Sequence, residues 1–506
     1  MNKSNAWFRR WKALDTHIEQ SIQLFEQGKV PDDLPEKQTI WYLLKSLRAF
    51  GQSHFNYFFS GLLLERPNLN DPKEEFPVDS VLRSIIDQIA YDFELISKAL
   101  HQRLPPYHNE KRGETLQNAS RLGRIALLPA IRAGFIEKTE VLTYFQKSYS
   151  VRVIPYSNVA IVGVPFTALE LPRDYLAIPH ETAHHIYRHG SFNDKAISSH
   201  LKNDLKQAFK KEDLQFRKYL RNWVEEIFAD IYGCLIAGPV MAVNFQELQL
   251  DDPLVEFAKS YIDYEDPVPI VRPDIYTKVL ANSGQRKWQK WAAPVGDLWQ
   301  DHRNTYWDDF RKTKLEARDR ENAPFFTTFN GRYTLDDIRA PGEELKSNLP
   351  LDLMIKNVLD FIDRSFTKEN VAPPKLFNWS KTEEGVDLTT LYERFSEFVV
   401  ESENLFTDDL KEQMRPDLDV NSDSFDTDIQ INDHLSLSIG WVKWITRWVK
   451  VHGFDEIIED NKATELLDKR RKPKSSNTDW GWADVAYADG WVTRGPEPNP
   501  PGDGVG

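Results

Sequence analysis

The stretch Trp223-Val224-Glu225-Glu226-Ile227-Phe228-Ala229-Asp230-Ile231-Tyr232-Gly233-Cys234-Leu235-Ile236 constrains this chain more than any other. Read at helical period, its apolar residues run nearly all the way round, and such a helix is buried. It nevertheless carries carboxylates, and an unpaired buried charge is so unfavourable that a compensating cation is required. Glu226 and Asp230 are four apart and share one face. A metal ion bound by Glu226, with Asp230 accepting the N–H of a histidine on the same ion, would satisfy both. Glu225 competes for the ligand role, but no carboxylate follows it by four, and the helical turn sets it apart from Glu226.

The matching donors lie upstream, in Ile178-Pro179-His180-Glu181-Thr182-Ala183-His184-His185-Ile186-Tyr187-Arg188-His189. His180 and His184 are one turn apart on a helix, so two imidazoles can grip one zinc ion from the same side. Glu181, rotated by roughly 100° from His180, can reach a water on that ion and act as its base. Pro179 is tolerated in a first turn, so the helix starts or kinks there. Arg188, His189 and Gly190 supply the cationic last turn and terminal glycine of a helix stop. His185 and His189 are offset from the metal face and read as surface residues. Tyr187 is a candidate for the cleft wall or an oxyanion donor, with core packing as the alternative. Cys234 follows Asp230 by four, but three protein ligands suffice for a catalytic zinc.

His-Glu-x-x-His followed by a helical Glu-x-x-x-Asp resembles the gluzincin branch of zinc metallopeptidases. The resemblance covers two helices and implies a zincin-like core. It implies Zn2+ held by His180, His184 and Glu226, Glu181 as general base, and Asp230 orienting a ligating histidine. The flanking strand and the Ala-Asp-x-x-Gly continuation also resemble bacterial metallopeptidase-like proteins of unassigned role. A metzincin is disfavoured, because no His-x-x-Gly-x-x-His pattern follows. Some metallopeptidases carry His-Pro-x-x-x-x-Arg at the place of Asp266-Pro267-Val268-Pro269-Ile270-Val271-Arg272. Here Asp266 replaces the histidine, so no donor from it is expected; Arg272 either faces the cleft or forms a structural salt bridge.

The balance of 64 Lys and Arg against 78 Asp and Glu, net −14, leaves no cationic excess for phosphates and argues against nucleic acid as a partner. One cysteine excludes an intrachain disulfide framework and a Cys-rich zinc site. Met1 to Arg10 lacks the apolar run of a signal peptide, and Phe55 to Leu64 is interrupted and too short for a bilayer. A soluble, cytoplasmic protein is expected.

The fold class expected is α+β, mostly helical, with a small sheet ahead of the metal helix. Residues 1–135 form a helical N-terminal region, with helices over 6–27, 38–64, 80–103 and 114–133, the third capped by Asp79 or Ser80. Residues 136–275 hold the metallopeptidase core, with strands over 150–154 and 159–164. By the same resemblance, 159–164 is the candidate edge for an extended substrate; an ordinary strand with a covered edge is the alternative. The polar, basic segment 191–221 reads as a solvated helix or hairpin, or as a flap over the cleft. Residues 276–404 are helical and Trp-rich, with Trp288, Trp291, Trp299 and Trp307 read as packing and helices over 350–366 and 387–403. Residues 405–506 read as an acidic loop, an amphipathic helix at 439–451 and a tail.

The activity expected is peptide-bond hydrolysis of a peptide or protein substrate. The long helical flanks motivate a second reading, a regulatory or scaffold protein with a structural or vestigial zinc site. A third has the peptidase acting on one partner in a bacterial stress or anti-phage setting, since an unrestrained cytosolic protease is toxic.

Overall fold

The computed structural model describes residues 3–59, 78–152, 154, 156–193, 195–208, 214–250, 272–282, 286–310, 326–328, 331–333, 351–369 and 388–401. Residues 60–64 of the second expected helix, the 266–271 loop and everything expected beyond 401 lie outside them. Among the described residues the chain is mostly helical with a small sheet. No helix among the described residues is long and apolar enough to cross a membrane.

Contacts divide the chain into two units. The first includes residues up to Gly113 and the segment 153–161. Its described helices are α1 (Lys3–Glu26), α2 (Lys37–Phe58) and α3 (Val78–Gln102). α3 starts ahead of both Asp79 and Ser80, so neither caps it. Apolar faces at helical spacing pack the three together, and Gly51 allows a close approach. A Cβ there would lie 2.6 Å from Cη2 of Trp11, whose ring stacks on Phe55. Arg48 pairs with Asp15 and Glu19 across α1 and α2, and buried Arg103 with Glu36.

The second unit starts at Glu114, within α4 (Glu110–Arg132). The strands follow as β1 (Glu140–Gln146), β2 (Ser150–Arg152) and β3 (Val159–Pro165), in spatial order β1-β3-β2. β3 is therefore the central strand, buried along its whole length, and not the free edge expected for 159–164. Its unbroken Val-Ala-Ile-Val-Gly-Val run is the pattern of a strand covered on both faces. Gly123 brings α4 onto β1, where a Cβ would sit 2.9 Å from Val141.

Two 3-10 turns (Phe166–Leu169 and Pro172–Ala177) lead into α5 (Ile178–His189), with Pro179 in its first turn. α5 ends at Gly190 in an extended conformation, φ −77°, and not in the left-handed one. Glycine is needed there because a Cβ would lie 2.3 Å from the Ile186 carbonyl oxygen. The following segment is an antiparallel hairpin, β4 (Ser191–Phe192) with β5 (Lys195–Ala196), then α6 (Ile197–Ala208). Asn193 turns the hairpin at φ 51°, a conformation asparagine tolerates well. α6 buries Ile197, Leu201 and Leu205.

α7 (Leu214–Ala237) begins well ahead of Trp223 and is the main partner of α5. The phenol of Tyr232 donates to the Ala126 carbonyl at 2.7 Å, tying α7 to α4. α8 (Pro239–Leu250), α9 (Arg272–Asn282), α10 (Arg286–Phe310), α11 (Leu351–Lys368) and α12 (Leu388–Glu401) complete the described helices. Trp288 and Trp299 of α10 are core residues. A short hairpin pairs β6 (Phe326–Thr328) with β7 (Gly331–Tyr333).

Candidate metal centre

α5 and α7 cross where Gly233 faces His180. A Cβ on Gly233 would stand 3.1 Å from the His180 backbone nitrogen and 2.7 Å from Cε of Met241. That close approach brings His180 and His184 of α5 against Glu225, Glu226 and Asp230 of α7.

Each imidazole is held through Nδ1 by its own carboxylate. His184 Nδ1 lies 3.0 Å from Glu225 Oε1 in a hydrogen bond. His180 Nδ1 lies 2.9 Å from Asp230 Oδ1, an ion-pair contact without the alignment of a strict hydrogen bond. With each Nδ1 beside a carboxylate, the two Nε2 atoms face one another, 3.1 Å apart. Glu226 faces them with Oε1 3.4 Å from His184 Nε2 and Oε2 3.5 Å from His180 Nε2. The three ligand atoms lie within 4.8 Å of one another. For donors about 2.1 Å from a tetrahedral ion, neighbouring donors are about 3.4 Å apart. The cluster fits a zinc-sized ion.

Its chemistry would suit such an ion. Two imidazole lone pairs and a carboxylate converge, and acceptors so placed repel unless a proton or cation lies among them. Without an ion, a proton serves. Burial works against a charged His180, but Asp230 and Glu226 outweigh it and lift its pKa to about 10. His184 is likewise raised, burial being outweighed by Glu226 and Glu225. Burial would raise Glu226 and Asp230, yet His184 and Arg272 hold Glu226 well down, and Arg272 and His180 hold Asp230 down. Metal binding at such a site displaces a proton.

Two arginines complete the charge balance. Arg188, one turn after His184, donates to Glu225 Oε1 at 2.5 Å. Arg272 opens α9 and donates to Asp230 Oδ2 through Nε at 2.8 Å and to Glu226 Oε2 through Nη2 at 2.6 Å. Its Nη2 also lies 3.2 Å from His180 Nε2, and its guanidinium covers the Phe245 ring at 4.8 Å. Tyr276, one turn further along α9, donates to Asp230 Oδ1 at 2.8 Å. Of the two expectations for Arg272 the structure shows the salt bridge, which is part-buried and made to the carboxylates of the candidate site.

Every residue of α5 is buried except Glu181. Glu181 is only half-buried, and it alone of this helix keeps an appreciable share of accessible surface. Tyr187 does not stand with the cluster; it is a core residue whose ring packs on Phe228, centroids 5.6 Å apart. His185 and His189 are not on the surface. They are buried and stacked 4.2 Å apart, and burial pushes His185 down to about 3 and His189 well below its ordinary value. The side of α5 that carries them is covered by other segments, so these two histidines have no solvent to meet. Cys234 is buried near the Tyr276 carbonyl, its thiol pushed up by burial and by Asp230, and it is not among the clustered ligands.

Glu225 as the partner of His184 went unread in the sequence, although its spacing carried a signal. Glu225 and Arg188 are a buried carboxylate and a cation on the two helices, each adjoining the metal motif. No family model matches the chain, and no curated protein or solved structure matches it.

Proposed function

We propose that the protein is a zinc-dependent peptidase of the gluzincin type. The observation that carries this reading is the convergence of His180 Nε2, His184 Nε2 and a Glu226 oxygen at the separations a tetrahedral ion requires, with Glu181 on the helix that carries both histidines. A divalent ion there would supply a Lewis acid that acidifies a water and polarises a carbonyl.

The chain's own residues do the rest. Asp230 and Glu225 keep the imidazoles turned inward, and Arg272 holds one oxygen of Glu226 so that the other is left for the ion. Glu181 takes a proton from the attacking water as its oxygen bonds to the scissile carbonyl carbon. It returns that proton to the leaving nitrogen as the C–N bond breaks, giving a carboxylic acid and an amine. Such general acid–base assistance contributes about 10²–10⁴-fold.

One observation favours a second reading, a scaffold protein with a vestigial site: Arg272 already supplies a cation to Glu226 and approaches His180. Zinc-loaded protein incubated with a peptide library separates the two. Expected for the peptidase is cleavage that Glu181→Gln abolishes while zinc content stays at the wild-type level. Stoichiometric zinc without cleavage, or undiminished turnover in Glu181→Gln, would remove the peptidase reading.

A further inference from the structure

His180 Nε2 has two claimants. An imidazole nitrogen has one in-plane position for a partner, which takes a proton, a hydrogen-bond donor or a metal ion, one at a time. Arg272 Nη2 stands 3.2 Å from His180 Nε2 and donates to Glu226 Oε2 at 2.6 Å. A single guanidinium nitrogen thus bridges two of the three side chains that the ion would join.

The arginine is anchored by contacts that the ion does not need. Its Nε donates to Asp230 Oδ2 at 2.8 Å, and its guanidinium lies over the Phe245 ring at 4.8 Å. That ring is itself stacked on Tyr276 of the same helix, centroids 4.6 Å apart. These contacts would keep Arg272 in place after it let go of His180. Glu226 can serve both cations, because Arg272 takes Oε2 and leaves Oε1, 3.4 Å from His184 Nε2, for an ion. His180 has no such second atom, since its Nδ1 already faces Asp230 Oδ1 at 2.9 Å. The conflict is confined to one nitrogen. A divalent ion and a guanidinium both held there would also repel one another where water screens them weakly.

We infer that Arg272 gates metal loading: its Nη2 covers the position on His180 Nε2 that the ion needs, and it withdraws from that atom on metal binding while staying on Asp230 and Glu226. This rests on the metal centre of the proposed function and adds its regulation. Only the population in which Nη2 has left Nε2 can take the ion, so the apparent affinity is lowered by that fraction. The contact at stake is a charge-assisted hydrogen bond, equivalent to roughly 10- to 100-fold in a binding constant. The three ligands alone would load at lower free zinc, and Arg272 raises the level required.

The test is zinc affinity, measured by chelator competition on the stripped full-length chain, for wild type, Arg272→Gln and Arg272→Lys. Expected is binding roughly 10- to 100-fold tighter in Arg272→Gln. Arg272→Lys should also bind more tightly than wild type, because an ammonium keeps the charge but lacks the planar fork that holds Asp230 and His180 together. Equal or weaker binding by Arg272→Gln overturns the gate, by showing that Arg272 supports the ligands. Tighter binding by Arg272→Gln alone, with Arg272→Lys at the wild-type level, overturns it too, since net charge and not the hold on His180 would then act. Crystal structures of stripped and zinc-loaded wild type decide the matter even if Arg272→Gln does not fold. Expected is Nη2 beyond hydrogen-bond reach of His180 Nε2 in the loaded form, with Nε still on Asp230; a guanidinium unmoved by zinc overturns the gate. A wild type that takes up no zinc removes the metal centre and the gate together, whereas gated zinc uptake without peptide cleavage removes only the peptidase reading.

Discussion

Replacing Asp230 by Asn tests the cluster at its most enclosed point. Asp230 is fully buried. Its Oδ1 meets His180 Nδ1 at 2.9 Å, Tyr276 OH at 2.8 Å and Arg272 Nη2 at 3.1 Å, while Oδ2 accepts from Arg272 Nε at 2.8 Å. An asparagine keeps one oxygen, which serves best on the crowded Oδ1 side. Its NH2 then faces the Arg272 Nε–H, donor against donor. One charge-assisted hydrogen bond, about 1.5–3 kcal/mol, is lost outright. Breaking a buried ion pair costs about 3–5 kcal/mol when the remaining charge is stranded. Arg272 retains Glu226, which places the expected loss near the lower bound, about 3 kcal/mol. The His180 Nδ1–H still finds an oxygen, so zinc affinity should fall about tenfold, the small end for loss of a ligand's orienting partner. Urea titration of chelator-treated protein, read by hydrogen exchange of α7 peptides, reports the unit that holds the cluster. An α7 stability within about 0.5 kcal/mol of wild type, the usual range of neutral surface changes, would show that Asp230 does not hold Arg272 as described.

Two further outcomes follow from the packing of α5. Gly233→Ala puts a methyl 3.1 Å from the His180 nitrogen and against Met241; calorimetry should show a loss of about 1–3 kcal/mol together with weaker zinc binding, and an unchanged melt would contradict the close crossing. His185 and His189 have folded pKa values below the unfolded value of about 6.5, so the unfolded state binds more protons as the solution is acidified. Their contribution is therefore complete above pH ~6.5 and lost as pH falls toward the folded values, about 1.4 kcal/mol per pH unit for each group. Urea titrations at pH 7 and 5 should show His189→Gln losing less stability on acidification than wild type; equal losses would mean that His189 is not buried uncharged.

The parts of the fold set by local spacing were legible. α1 to α4 lie within a few residues of their apolar periodicity, and the two helices of the metal motif were placed by the positions of His180, His184, Glu226 and Asp230 alone. An i, i+4 pair fixes a shared face whatever surrounds it. Strand order was not legible in this way, because it depends on partners; the sequence left β3 open between a substrate edge and an ordinary covered strand, and its unbroken apolar run fits the central place it takes. His185 and His189 were misplaced for a related reason: residue type suggested solvent, while the enclosure of α5 comes from distant segments. Arg272 could be singled out in sequence but not assigned a partner across more than forty residues.

Zinc titration of chelator-stripped protein by calorimetry, wild type beside a His184→Ala, Glu226→Gln double variant, bears most directly on whether two imidazoles and a carboxylate share one ion. Expected is one equivalent bound by the wild type, with proton release that varies with buffer ionisation enthalpy, and none bound by the variant. Failure of the wild type to take up zinc, or equal uptake by the variant, would contradict the metal centre.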